Sequence, residues 1–153
     1  MVAYFFDSSA LAKRYVTETG TVWVQSLTDP AAGNNVYVAR ITLVELVAAI
    51  SRRRKNGDLT PGNADAALAD VRTDFDSDYQ VMEVTAALIA EAEALAEKHA
   101  LRGYDAVQLA AALEVNAAYL AAGQPPVTLV SADLELNTAA ITGGLNVDDP
   151  NTH

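Results

Sequence analysis

Short runs rich in Val, Tyr, Phe and Leu alternate along the chain with longer segments whose apolar residues recur at helical spacing. The short runs predict five strands, the last of them very short: residues 2–6, 36–40, 79–84, 127–131 and 145–147. The periodic segments predict seven helices: residues 8–16, 20–28, 42–56, 61–76, 85–100, 103–121 and 133–142. Because strands alternate with helices, we expect an α/β fold, a three-layer α/β/α sandwich around a mainly parallel sheet of four to five strands.

Length and composition favour one globular unit. A length of 153 residues, 51% of them hydrophobic, indicates a single domain over residues 1–153. The absence of cysteine excludes disulfides, thiolate catalysis and zinc–cysteine sites, and is compatible with a reducing cytosol. Because the sequence shows neither a basic leader nor an apolar run of membrane length, we expect a cytoplasmic protein without membrane contact.

The charge balance narrows the kind of nucleic-acid chemistry that is possible. The chain has 20 acidic and 10 basic residues, which gives a formal net charge of −10. Generic nucleic-acid binding depends on phosphate neutralisation by Lys and Arg, so this balance opposes it. A nucleic-acid enzyme with a metal-loaded acidic cleft and a local basic strip remains compatible with it.

Four carboxylates stand in or beside apolar sequence, where an unpaired ionised group is costly. They are Asp7 in VAYFFD, Glu45 in ITLVELVAAI, Asp105 in GYDAVQLAAAL and Asp133 after VTLVS. Asp7 and Asp133 follow the carboxyl ends of predicted strands, and we expect Glu45 and Asp105 in the first turns of predicted helices. In open parallel sheets ligands bind beyond the carboxyl ends of the strands, so all four acids can reach one shared site.

Helix capping offers a second interpretation of the same acids. Asp7 and Asp133 suit N-cap positions, and Thr42-x-x-Glu45 has the spacing of a capping box. For any one acid alone capping is the stronger interpretation, because acidic residues complement the positive end of the helix dipole. The four acids taken together favour a shared site over capping.

Hydroxyl and basic residues add weaker signals. Ser9 and Ser131 stand close to Asp7 and Asp133 and are suited to orient a ligand or water. Arg52, Arg53, Arg54 and Lys55 end a predicted helix, where they complement its dipole or form a phosphate-gripping patch. Arg102 can pair with a site carboxylate or with a surface acid.

Four segments together carry a resemblance to a known family. They are FFDSSALAKRYVTETGT, ITLVELVAAISR, LRGYDAVQLAAAL and TLVSADLELNTAAITGGLNVDDP. In order and spacing they resemble the PIN-domain ribonucleases, most closely the VapC-like toxins of bacterial toxin–antitoxin pairs. The resemblance implies a parallel-sheet α/β/α sandwich and a metal-dependent endoribonuclease that uses Mg²⁺ or Mn²⁺. It also implies RNA as substrate, a homodimer, and a cognate antitoxin that inserts into the active-site groove.

The resemblance assigns the acidic site to Asp7, Glu45, Asp105 and Asp133. Carboxylates are hard oxygen donors that suit Mg²⁺ or Mn²⁺. We expect Asp7 and Asp105 to be the central metal ligands and Asp133 to ligate directly or through water. Glu45 is expected to ligate or to orient the attacking water.

Ser9 and Ser131 match the family's small hydroxyl residues and are expected to support the metal ligands from behind. Two other functions remain open. One is a non-catalytic PIN-like domain that binds metal or a partner. The other is a small phosphatase or nucleotide-binding α/β domain, against which the missing phosphate loop, GxGxxG fingerprint and DxD motif count.

Overall fold

A parallel five-stranded sheet forms the centre of the molecule in the computed structural model, which describes residues 2–153. The strands are β1 (Ala3–Phe6), β2 (Asn35–Ala39), β3 (Gln80–Met82), β4 (Thr128–Val130) and β5 (Asn146–Asp148). The α-helices are α1 (Ser8–Tyr15), α2 (Thr21–Thr28), α3 (Arg40–Lys55), α4 (Pro61–Ser77), α5 (Ala86–His99), α6 (Gly103–Ala121) and α7 (Leu134–Thr142). Two 3₁₀ turns complete the described chain, Pro30–Ala32 and Pro150–Thr152.

The strand order is β3-β2-β1-β4-β5, and every neighbouring pair is parallel. Phe5 of β1 is in register with Tyr37 of β2 on one side and with Leu129 of β4 on the other. The chain therefore extends the sheet in both directions from β1. In such sheets the crevice between the two directions is where ligands bind.

Two hydrophobic layers cover the two faces of this sheet. Adjacent strand residues point to opposite faces, so Phe5 packs in one core cluster and Phe6 in the other, both fully buried. Phe5 shares its cluster with α5, α6 and α7, and Phe6 shares the second cluster with α1 to α4. The predicted α/β/α sandwich is confirmed, and its sheet is wholly parallel.

The beginning of α3 differs from the prediction. The helix begins at Arg40 directly after β2, and Ala39 at its N-cap position makes no side-chain capping bond. The predicted capping box of Thr42 and Glu45 is therefore wrong, and Glu45 lies in the second turn. Thr42 is fully buried and its Oγ1 accepts a hydrogen bond from Gln108 Nε2 at 2.8 Å, so a tertiary contact uses the hydroxyl instead.

No helix within residues 2–153 is long and apolar enough to cross a membrane.

The start of α4 provides a stability prediction. Thr60 Oγ1 accepts a hydrogen bond from Asn63 N at 3.1 Å, and Pro61 occupies the first turn, as the sequence predicts. We expect Thr60→Ala to lower the free energy of unfolding by about 1 kcal/mol in urea denaturation, because it leaves a helix N–H without its cap. Thr73→Ala, on the exposed side of the same helix, is the matched control and should not destabilise. Equal losses of unfolding free energy in Thr60→Ala and Thr73→Ala would contradict a capping role for Thr60.

Candidate active site

A cavity of about 600 Å³ opens at the carboxyl edge of the sheet, beside the ends of β1 and β4. All four predicted acids line it: Asp7, Glu45, Asp105 and Asp133. They come from segments far apart in the chain, after β1, on α3, on α6 and after β4. The structure therefore places the four acids that the sequence grouped on the wall of one cavity.

Asp7 is the most deeply buried of the four acids, with 2% of its surface exposed. Its Oδ1 caps α1 by accepting from Ala10 N at 3.0 Å. Ser9 Oγ lies 2.7 and 2.9 Å from the two carboxylate oxygens. Ser131 Oγ donates to Oδ2 at 2.8 Å. The N-cap that we predicted exists, and the capping residue is also a wall of the cavity.

Burial raises the pKa of Asp7 to about 6. The bonds from Ser9, Ala10 and Ser131 act in the opposite direction because they stabilise the carboxylate, while the negative charge of Asp105 raises the pKa further. The Asp105 charge is therefore a secondary contribution to the raised pKa of Asp7, after burial. A cation between them would relieve both the burial penalty and the repulsion.

The two predicted serines connect the first turn of α1 with the segment that follows β4. Ser9 Oγ accepts from Ala132 N at 3.0 Å, and Ser131 Oγ accepts from Asp133 N at 3.1 Å. Both hydroxyls also contact Asp7. The serines therefore hold the Asp7 carboxylate and the Asp133 backbone in one rigid network.

Glu45 is held from two sides by residues that sequence reasoning did not select. Ser8 Oγ donates to Glu45 Oε2 at 2.8 Å, and Gln108 Nε2 donates to Glu45 Oε1 at 3.1 Å. Gln108 is 1% exposed, and its Oε1 has no hydrogen-bond partner among the described residues. A polar residue inside the apolar run DAVQLAAAL was the available signal, since Gln108 falls one helical turn after Asp105 on the same face.

Arg102 connects the two remaining acids. Its Nε donates to Asp105 Oδ2 at 3.0 Å, and its second guanidinium nitrogen donates to Asp133 Oδ2 at 2.8 Å. Asp133 also caps α7 through Leu136 N at 3.0 Å, as predicted. Burial raises the pKa of Asp105, while the Arg102 bond lowers it and the Asp133 charge raises it. Of the two partners proposed for Arg102, the site carboxylate is the one observed.

The donor set fits a hard divalent cation, although its members stand apart. Among residues 2–153, no three acidic, histidine or cysteine side chains stand close enough together to form a metal-binding group. Arg102 supplies the positive charge between Asp105 and Asp133, and its side chain is 58% exposed, so it can move into solvent. Carboxylate oxygens without competing nitrogen or sulfur ligands match the preference of Mg²⁺ and Mn²⁺.

Comparison with known proteins places this arrangement in a family. Residues 4–140 match the PIN domain family. The chain belongs to that family. Ribonuclease VapC45 from Mycobacterium tuberculosis (strain CDC 1551 / Oshkosh) is 34% identical over 150 residues, which covers 96% of this chain and 95% of the relative. The predicted PIN-domain, VapC-like identity is thus confirmed.

Solved structures show the same PIN fold at lower sequence identity. PAE2754 from Pyrobaculum aerophilum has a TM-score of 0.64 at 20% identity, over 99% of this chain and 91% of that protein. A chain of VapBC2 from Rickettsia felis, solved with a promoter DNA fragment, has a TM-score of 0.63 at 15% identity, over 97% and 98% of the two chains. At these identities the similarity supports the fold alone.

Proposed function

We propose that this PIN-domain protein is a divalent-metal-dependent endoribonuclease and the toxin of a toxin–antitoxin pair. One observation carries the catalytic part: four carboxylates from separate segments line one cavity at the carboxyl edge of a parallel sheet. The VapC ribonuclease that shares 34% of its residues over nearly the whole chain supports the choice of RNA as substrate.

Asp7 and Asp105 would hold the cation most directly, since each lines the cavity and is at most 5% exposed. Asp133 would contribute directly or through water once Arg102 moves aside. Held by these carboxylates, Mg²⁺ or Mn²⁺ would supply Lewis acidity for phosphodiester hydrolysis, since it would make water more acidic and neutralise charge on the phosphate.

The chain's own residues orient the remaining groups. Glu45 is held by Ser8 and Gln108 with its carboxylate at the cavity wall, where it can ligate or accept a proton from the attacking water. Ser9 and Ser131 fix Asp7 in its rotamer and keep it from turning away from the cavity. Each predicted site residue thereby receives a role in one mechanism.

The test is cleavage of single-stranded RNA by the purified protein. We expect endonucleolytic products with Mg²⁺ or Mn²⁺ and none after EDTA treatment. Metal binding without cleavage of any RNA would instead favour a non-catalytic PIN-like domain. Hydrolysis of phosphomonoesters without RNA cleavage would favour a phosphatase. Either result would contradict the proposal.

Arg102 is expected to compete with the cation for Asp105 and Asp133. Its guanidinium contacts one oxygen of each. We expect Arg102→Gln to tighten Mn²⁺ binding about tenfold in calorimetric titration, because the carboxylates lose their internal counter-charge. Arg102→Lys keeps the charge and should stay close to wild type. Weaker Mn²⁺ binding by Arg102→Gln would show that the arginine supports the metal site instead.

The wider assignments belong to the same proposal. We propose that residues 1–153 form one PIN-like domain, that the protein works in the cytoplasm as a homodimer, and that a cognate antitoxin silences it. The support is the similarity to VapC and, for the fold, to a VapBC2 structure. Growth arrest on expression, relieved by co-expression of the neighbouring open reading frame, tests the toxin role. Light scattering of the purified protein tests the dimer.

A further inference from the structure

The cavity extends well beyond the four acids. It continues along the exposed face of α3, where Glu45, Ala48, Ala49 and Arg52 all line it. These positions have the i, i+3, i+4, i+7 spacing of one helix face. The two alanines are small, so on this face of α3 no large side chain stands between Glu45 and Arg52.

The distance from Glu45 to Arg52 along α3 matches a short piece of nucleic-acid strand. Arg52 lies seven helical positions after Glu45, a distance of about 10 Å along the helix axis at about 1.5 Å per residue. A stacked strand rises about 3.4 Å per nucleotide, so this distance corresponds to about three nucleotides. A strand with its scissile phosphate at the acids therefore carries another phosphate near Arg52.

Charge distinguishes Arg52 from the other residues at the end of α3. Arg52 is exposed and forms no ion pair with any residue in 2–153. Arg53 also lines the cavity and lies 3.4 Å from Glu18 in a partly exposed pair. Arg54 pairs with Asp65 outside the cavity. Of the four basic residues at the end of α3, only Arg52 and Arg53 line the cavity. The helix dipole alone would not distinguish these two from their neighbours.

We propose that Arg52, with Arg53 beside it, binds the RNA backbone about three nucleotides from the scissile phosphate. This inference rests on the proposed ribonuclease function and assigns its substrate-binding surface. In a chain with a net charge of −10, two guanidinium groups in the cavity that holds the acids provide phosphate neutralisation, in full from Arg52 and in part from Arg53, whose partner Glu18 also lines the cavity. An acidic protein segment is the alternative occupant, but the arginines line the same cavity as the four acids, which favours the substrate.

The experiment measures RNA binding separately from cleavage. Asp7→Asn is used as a cleavage-deficient background, and fluorescence anisotropy follows a labelled single-stranded RNA in Mn²⁺ across a range of salt concentrations. Arg52→Gln is added to this background. Arg72→Gln is the matched control, since Arg72 is an exposed arginine on α4 outside the cavity.

We expect Arg52→Gln to weaken RNA binding about tenfold, the loss of one charged hydrogen-bonding contact. The slope of log K against log salt should fall by about 0.7, the value for one phosphate contact to a single strand. Arg72→Gln should change neither quantity. Glu18→Gln, which frees Arg53, should strengthen binding.

Length dependence supplies a second readout in the otherwise wild-type enzyme. Arg52→Gln should raise KM and spare kcat on a long RNA, and have no effect on a dinucleotide that cannot reach residue 52. Equal RNA affinities for Arg52→Gln and Arg72→Gln would overturn the inference, and so would an Arg52→Gln effect confined to binding of an acidic protein. The proposed function has a separate failure, which is a wild-type protein that cuts no RNA in Mn²⁺.

Discussion

Replacing Asp7 or Asp105 by Asn will lower the rate of RNA cleavage by at least about a thousandfold, the loss of several kcal/mol of transition-state stabilisation. Both side chains are buried at the cavity wall, and the negative charge of Asp105 adds to the burial that raises the pKa of Asp7. An amide has the same shape but no negative charge, so the cation would lose a principal ligand while the fold is retained. Single-turnover cleavage of a labelled RNA measures the effect.

The other two acids should show smaller losses. We expect Glu45→Gln and Asp133→Asn to slow cleavage by about ten- to a hundredfold, as outer or water-mediated ligands do. Asp70→Asn, an exposed acid on α4 outside the cavity, is the control and should cleave like wild type. Retention of more than a tenth of the wild-type rate by Asp7→Asn would contradict the assignment.

The second large effect of replacing Asp7 is on the free energy of unfolding. The replacement should raise stability, although it lowers the cleavage rate. Burial raises the pKa of Asp7 from 3.8 to about 6 in the folded protein. The folded state therefore binds more protons than the unfolded state between these values, and stability falls as the pH rises through them. At neutral pH the ionised Asp7 costs up to about 3 kcal/mol in the metal-free protein.

Asp7→Asn removes this cost. We expect the variant to be more stable than wild type by about 2 kcal/mol near pH 7.5, and this advantage should shrink by about 1.4 kcal/mol at pH 5, in urea denaturation with EDTA present. Mn²⁺ should stabilise wild type more near pH 7.5 than near pH 5, since it binds the ionised carboxylate. If the free energies of unfolding of wild type and Asp7→Asn changed with pH in the same way, ionisation of Asp7 would not be the source of the stability cost.

A buried charged group that lowers the stability of a protein is expected where the group takes part in the chemistry. In this protein, the Asp7→Asn variant should lose RNA cleavage and gain free energy of unfolding at neutral pH. The combination distinguishes a metal-binding role for Asp7 from a purely structural cap. Loss of a cap would weaken the fold and leave the chemistry intact.

Much of the architecture follows from local pattern. The hydrophobic runs predicted all five strands, and helical spacing predicted all seven α-helices, with ends shifted by about two residues. Asp7 and Asp133 were recognisable both as N-caps and as site residues because one geometry satisfies both roles. The strand order depends on tertiary packing, and no local signal in the sequence reports it.

The errors concern residues whose side chains bond across the fold. Thr42 has a capping-box spacing relative to Glu45, but its hydroxyl bonds to Gln108, sixty-six positions away. Ser8 and Gln108 hold Glu45 through contacts of similarly long range. Such contacts exist only after β1, α3 and α6 pack together, so neither propensity nor periodicity contains them.

The most direct test of the central claim is the rate of RNA cleavage as a function of Mn²⁺ concentration, measured for wild type and Asp105→Asn after removal of metal with EDTA. The proposed mechanism predicts that wild type has no activity without metal and a saturating rise with Mn²⁺. Asp105→Asn should remain at least about a thousandfold slower at every concentration that saturates wild type. Cleavage by wild type in EDTA, or equal rates for both proteins in Mn²⁺, would contradict a metal-dependent nuclease centred on these carboxylates.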